Sequence, residues 1–308
     1  MRFCKKLLLL FICLFILLSC LISCKSNEGD FDKQDDKKPA AVLYMGDPQS
    51  DPETNDYTQW GDLLKSAVQS NENAEVLILG GDIVNDEGDD DEWSAFMSAG
   101  AEAFEKLKIR PVTGNHTADA TRYIEYFDIP QNGPEGLLGA YYSFDYGEIH
   151  FIMLDSMTMG TVDESQISLI SDWIKNDLES SDSTWNIAVM HHPMYSLNGS
   201  YKDDLRAETM QQNYLPIFEE YDLDFILCGH QHVYSRTYPL ISGEIQDGGI
   251  VQIMGISGGK HYSIPDNEII EESVQGQSVY SVISATGSEI TIETYNMSGA
   301  LLDSYSKG

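Results

Sequence analysis

Residues 76–86 read VLILGGDIVND. The opening apolar run shows no alternation, so neither side is left for solvent, and it suits a strand covered on both faces. Gly80 and Gly81 break the run and Asp82 follows at once. In an open α/β sheet, ligands bind beyond the carboxyl ends of the strands, which is where Asp82 would sit. The same layout recurs on either side. Residues 41–45 run into GDPQ (46–49), 110–113 into GNH (114–116), 187–190 into HHPMY (191–195) and 225–227, through Cys228, into GHQH (229–232). Only the strand-like run 149–154 ends without such a cluster. Between these runs, Trp60, Leu63, Leu64 and Val68 recur at helical spacing, as do Trp93, Phe96 and Met97, then Ile167, Ile170, Trp173 and Ile174. Asp163 with Gln166 three places on resembles a helix N-cap signal, although Ser or Thr is the usual first residue of a capping box. Strands alternating with helices describe an α/β layered domain.

Of seven histidines, His116, His191, His192, His230 and His232 lie in the strand-end clusters, and only His150 and His261 fall outside them. Loops at one end of a sheet can converge on one point. Glycine beside Asp47, Asp82, Asn115 and His230 lets the backbone turn sharply and bring those side chains together. A carboxylate can bridge two cations about 3.5–4 Å apart, the geometry of metal-assisted displacement at phosphorus. Imidazole and oxygen donors suit Zn, Mn, Fe or Co, and the lack of thiolates in these motifs argues against a structural zinc site.

In this order, GDPQ, GGDIVND, GNH, HHPMY and GHQH resemble the calcineurin-like metallophosphoesterase superfamily, and particularly its purple-acid-phosphatase-like bacterial members. The resemblance implies a four-layer αββα sandwich with two mixed β-sheets and the metal site at the carboxyl ends of the strands. It implies two divalent metal ions (Mn, Zn, Fe(II) or Mg), with Asp47 and His232 on the first and Gln49 where many members have His. Asp82 would bridge. Asn115, His191 and His230 fall on the second metal, and His116 where the leaving oxygen is protonated or developing charge is stabilised. A bridging hydroxide would be the nucleophile. His192 is a candidate to bind metal or phosphate or to support a ligand, with a structural hydrogen bond as the alternative. Asn85 stands where protein serine/threonine phosphatases have Asp and purple acid phosphatases have Tyr, a metal or supporting position. Tyr195, Asn198 and Tyr201 are candidates to line a substrate pocket. The implied activity is hydrolysis of a small phosphate ester, monoester or diester. A second reading, from another class, is a surface-exposed binding lipoprotein that retains the fold without catalysis, because the neutral amide of Gln49 binds metal more weakly than imidazole.

The chain ends give localisation. Arg2, Lys5 and Lys6 precede an almost unbroken apolar run over 7–22, the layout of a secretory signal, and the following LISC (21–24) resembles the lipobox of bacterial lipoproteins with Cys24 as the lipidated residue. The alternative is an uncleaved membrane anchor. Residues 1–23 are therefore expected to be a signal peptide, 24–40 a flexible linker of polar, charge-mixed composition, and 41–308 the folded domain, extracytoplasmic and tethered to a membrane. Cys228 is the one cysteine outside the signal region, among apolar neighbours that predict a buried thiol. A net charge of −32 over 308 residues repels polyanions, which argues against nucleic-acid partners and toward small substrates or metals. The domain is expected to be a monomer. Strand-like segments over 250–256, 279–285, 289–295 and 301–305 are expected to complete a second sheet of the same domain.

Overall fold

The computed structural model describes residues 40–50, 53–159, 161–197 and 205–308. One mixed sheet of six strands has the order β15-β14-β13-β1-β2-β3, built from β1 (Ala40–Met45), β2 (Ala74–Leu79), β3 (Lys108–Pro111), β13 (Val279–Ala285), β14 (Ile290–Asn296) and β15 (Leu301–Lys307). A second has the order β12-β8-β11-β7-β6-β5-β4, built from β4 (Tyr142–Tyr146), β5 (Ile149–Leu154), β6 (Trp185–Met190), β7 (Phe225–Cys228), β8 (Tyr234–Thr237), β11 (Val251–Met254) and β12 (Ile270–Val274). A small ribbon pairs β9 (Leu240–Ile241) with β10 (Glu244–Ile245).

Side-chain alternation along the second sheet explains the layering. Ile149, Phe151 and Met153 of β5, Ile187 and Val189 of β6, and Phe225 and Leu227 of β7 share one core with the first sheet. Their alternates, Ile152, Leu154, Ala188, Met190, Ile226 and Cys228, face a second core. That second core includes Ile170, Ile174 and Leu178 of α4 (Glu164–Ser180), Met210 of α5 (Leu205–Asn213) and Phe218 of α6 (Leu215–Glu220). On the first sheet, α1 (Thr58–Ser70) contributes Trp60, Leu63 and Leu64, and α2 (Asp90–Phe104) contributes Trp93 and Phe96. The short α3 (Ala120–Tyr126) adds Tyr123. The architecture is αββα, with the central strands of both sheets buried on two faces, which is why the early strands read as continuous apolar runs. Burying each such large apolar side chain is worth roughly 1.5–3 kcal/mol. Cys228 is a buried free thiol, as expected.

The C-terminal strands divide between the sheets rather than completing a single one. β13 pairs antiparallel with β1, Val42 opposite Ile283, and carries β14 and β15 onto the first sheet, whereas β11 lies parallel to β7 in the second. Of the four segments expected to complete one second sheet, only 250–256 joins it, as β11, and the other three extend the first. β11 enters through a crossover that matches the parallel core, while the meander has a free edge of β1 to pair with. Asp163 caps α4 in a full capping box with Gln166, so Asp does there what Ser or Thr usually does.

At their carboxyl ends the two sheets touch. A Cβ on Gly46 would lie 2.5 Å from the Gly255 oxygen, Ser257 N donates to Gly46 O at 2.7 Å, and the Tyr44 hydroxyl donates to Cys228 O. The loops after β1, β2, β3, β6 and β7 all emerge around this junction.

Candidate metal centre

Asp47, Asp82, His230 and His232 take left-handed backbone conformations, with φ of 41°, 47°, 72° and 49°. Such values are uncommon outside glycine and cost on the order of 1 kcal/mol or more each. The flanking glycines have a different task from the one the sequence implied, because they clear space for side chains of other loops. A Cβ on Gly229 would lie 2.3 Å from Asp47 Oδ2, and one on Gly114 would lie 2.3 Å from Asp82 Oδ1. The strand-end glycines thus let two carboxylates lie against backbone.

The resulting cluster is buried. Asp47, Gln49, Asp82, His191, His192 and His232 are all buried, His116 and His230 are half-buried, and Asn115 is exposed. The donor atoms of Asp47, Asp82 and His191 lie within 4.8 Å of one another, and those of His191, His192 and His230 form a second such group. His191 belongs to both. Its Nδ1–H donates to Gly80 O at 2.9 Å, which leaves Nε2 facing Asp82 Oδ2 at 3.1 Å and Asn115 Oδ1 at 3.1 Å. Asn115 Oδ1 also meets His230 Nδ1 at 2.8 Å. His232 Nε2 lies 3.7 Å from Asp47 Oδ1, and its Nδ1–H donates to Lys260 O at 2.9 Å. Both amide atoms of Gln49 are buried with no hydrogen-bond partner among the described residues. Among the expected positions, then, Asp47, Gln49, Asp82, Asn115, His191, His192, His230 and His232 share one end of the sandwich.

Electrostatics reflect this crowding. Burial pushes Asp47 up to about 7. For His191, burial acts downward, but the Asp82 carboxylate, by charge and hydrogen bond, outweighs it and holds the ring up at about 9. Burial and the charge on His191 depress His230 to about 3 and His192 far below its usual range. Burial lowers His232 to about 4. Two carboxylates beside several neutral imidazoles form a donor set that fits a pair of divalent cations.

Around this core, other contacts set orientation. His116 N donates to Asp82 Oδ1 at 2.8 Å, and its Nδ1–H donates to the main-chain oxygen of Asn85 at 2.8 Å. The Asn85 side chain is turned to other work, since its Nδ2 donates to Glu92 Oε1 at 2.7 Å and to Ser50 O at 2.9 Å. His192 shares 2.8 Å between its Nδ1 and Ser156 Oγ, which also accepts from His192 N. Glu92, Ser156 and the Lys260 carbonyl carry no motif and were not legible in the sequence. Glu92 is buried in the first turn of α2 and gathers Asn85 N, Asn85 Nδ2, Asp86 N and the Tyr57 hydroxyl. Tyr195 is a core residue rather than a pocket wall, buried in the second core. Asn198, Tyr201 and Cys24 lie outside the described residues.

The family described as calcineurin-like phosphoesterase matches residues 40–234, nearly two thirds of the chain and all five loops. This chain belongs to the calcineurin-like phosphoesterases. Among curated proteins it is similar to purple acid phosphatase 23 of Arabidopsis thaliana, 29% identical over 179 residues covering 55% of this chain and 37% of that protein. It is also similar to purple acid phosphatase 18 of the same plant, 24% identical over 68% of this chain and 51% of that protein. The chain therefore spans only about a third to a half of the relatives it matches. Its fold superposes on purple acid phosphatase PPD1 of yellow lupin with a TM-score of 0.70 and 18% identity, over 87% of this chain and 53% of that one. It also superposes on GAP50, the anchor in the inner membrane complex of Plasmodium, with a TM-score of 0.63 and 14% identity, over 87% and 88% of the two chains. One calcineurin-like fold thus serves proteins with differently described roles, and the chemistry has to be argued from the site.

Proposed function

We propose that this chain is a metal-dependent hydrolase of phosphate esters, monoester or diester, whose metal pair is held at the buried cluster. In this reading Asp47, His232 and Gln49 serve the first metal, Asn115, His191 and His230 the second, and Asp82 both. The observation that carries it is the convergence of Asp47, Asp82 and His191, three buried side chains with donor atoms within 4.8 Å of one another. Bound there, the metals supply Lewis acidity and a water activated at neutral pH. The chain supplies aim and protons. His191 is fixed by Gly80 O so that only Nε2 can serve as a ligand. A carbonyl can only accept, so Nδ1 of His116 carries a proton, and Nε2 is left as the atom that would donate a second proton to a leaving oxygen when the ring is in its doubly protonated form. The buried amide of Gln49, without a hydrogen-bond partner among the described residues, is compatible with a place on the first metal.

Purified protein is expected to carry two divalent metals per chain by mass spectrometry, and chelation to abolish hydrolysis of aryl phosphates and lower the melting temperature. His116→Ala should keep both metals and lose about 10²- to 10⁴-fold in turnover, the range for a general acid. The loss should be steeper for a poor leaving group than for nitrophenolate. Equal losses would refute proton donation.

The lipoprotein reading of residues 1–24 belongs to the same proposal, with residues 41–308 as the functional domain. No helix among the described residues is long and apolar enough to cross a membrane. In this reading attachment rests on Cys24. Several acyl chains hold firmly where one binds only marginally. Cys24→Ala should abolish lipid labelling and release the protein from membranes, and a membrane-retained variant would favour an uncleaved anchor.

A further inference from the structure

Two cationic side chains flank the cluster, each beside a different half of it. Arg206 opens α5, and its Nε–H donates to Met157 O at 3.2 Å. Met157 adjoins Ser156, whose hydroxyl holds His192, so one backbone step links the guanidinium's anchor to the group formed by His191, His192 and His230. Lys260 sits on the other flank. Its carbonyl accepts from His232 Nδ1, and its ammonium lies 5.3 Å from the centre of the Tyr262 ring, which packs 4.8 Å from the His232 ring. The cation–π contact holds the ammonium next to the Asp47 half. Charge effects agree with this placement. Beside the larger effect of burial, Arg206 lowers His192 and His230, and Lys260 lowers Asp47 and His232.

The setting gives these cations weight. The chain has 50 acidic residues against 18 lysines and arginines, so its surface field opposes an approaching dianion. We propose that Arg206 and Lys260 are substrate-gripping residues, one for each half of the cluster, that select doubly charged phosphate groups over singly charged diesters. A phosphate monoester is mostly dianionic at neutral pH, with a second ionisation near pH 6, and a diester never exceeds one charge. The guanidinium can grasp two phosphate oxygens at once, while the ammonium acts as a point charge. Neither grip requires a residue that holds metal.

This inference rests on the phosphate-ester reading above, and its test separates the two. Metal-loaded wild type, Arg206→Gln, Lys260→Gln and the double variant are titrated calorimetrically with inorganic phosphate and with dimethyl phosphate. Their kcat/KM is measured on nitrophenyl phosphate and bis(nitrophenyl) phosphate. Each single variant should keep two metals and lose roughly 10-fold on inorganic phosphate and the monoester, the scale of one charged hydrogen bond, but only about 3-fold on dimethyl phosphate and the diester. The double variant should lose about 100-fold on the monoester. Arg206→Lys should recover part of the loss, since it restores charge without the fork. Equal losses on both ligand classes, or none on the monoester, overturn the proposal. If wild type hydrolyses neither ester while phosphate binding follows this pattern, the cation pair stands and the hydrolase reading fails. Should Arg206→Gln unfold because Met157 loses its anchor, exposed Lys260 alone decides the matter.

Discussion

Two buried histidines, His191 and His150, each lie between acidic side chains, and each is held up at about 9. Their surroundings differ in one geometric respect. At His150 the acids occupy opposite ring nitrogens, Asp145 at 2.7 Å from Nδ1 and Asp177 at 2.9 Å from Nε2. The partners point away from each other, so no common point exists for a cation. At His191 a carbonyl takes Nδ1, Asp47 Oδ1 stands off from that nitrogen at 3.9 Å, and Asp82 with Asn115 converges on Nε2. The first is a closed clasp, extended by Ser143 Oγ donating to Asp177 Oδ1 and by Asn132 bonding Ser143. The second is an open cluster, with Asp82 Oδ2, Asn115 Oδ1 and His191 Nε2 turned toward one another. Residue type is the same, and direction decides whether a buried histidine closes a clasp or could serve as a ligand.

The largest expected effect breaks this contrast at its open end. Asp82→Ala removes the carboxylate that touches His191 Nε2 and takes the His116 amide, so metal content should fall below two per chain and hydrolysis disappear. Asp177→Ala, at the closed clasp, should leave metal content at two and act on stability alone. Metal analysis of both variants checks this. Two metals retained in Asp82→Ala would overturn the bridging role.

A smaller effect follows from the clasp. Burial pulls His150 down, but hydrogen bonds to Asp145 and Asp177 and their charges outweigh it and hold the folded ring at about 9, above the ordinary 6.5. A raised histidine stabilises the fold fully below the unfolded value, and that contribution is lost as pH rises through the folded one. Stability should therefore decline between pH 6.5 and about 9. Discounted because the Asp145 side chain is 68% exposed, the loss is about 2 kcal/mol. Urea midpoints of chelated protein and of His150→Gln, taken across that range, should converge at the alkaline end. Parallel curves would show that the clasp carries no pH dependence.

The sequence made the open cluster legible because each ligand sits one to four places beyond an apolar strand, a local pattern that chain order preserves. What surrounds it was hidden for the opposite reason. Glu92, Ser156, Lys260 and Arg206 reach the site from a helix turn, a loop, another loop and a second helix, with nothing nearby in sequence to mark them. Sheet membership of the tail was hidden likewise, since Val42 meets Ile283 across most of the chain. β8, with its YSRT sequence, is concealed by polarity and becomes buried because Arg236 pairs with Asp303 of β15 and with Glu271 of β12.

The smallest expected signal is an absence, and it tests the character of the open cluster. Purple acid phosphatases have Tyr where Asn85 stands here, and its phenolate on ferric iron gives the colour. A replacement phenolate would have to come from another tyrosine near the site. Tyr57 donates its hydroxyl to Ile83 O at 2.9 Å and Glu92 Oε1 at 3.0 Å, and Tyr142 donates to Pro111 O at 2.7 Å. Burial raises both phenols well above their usual range, so neither is poised to ionise. With Asp47 and Asp82 as the only carboxylates of the cluster among the described residues, little anionic charge is available to favour a trivalent ion. Protein isolated from iron-rich culture should therefore be colourless, with a divalent pair and no visible charge-transfer band. Tyr262, packed on the His232 ring, is the residue to examine if a band is seen. A visible absorption lost on reduction, and lost again in Tyr262→Phe, would place a phenolate at the metal and reverse the prediction.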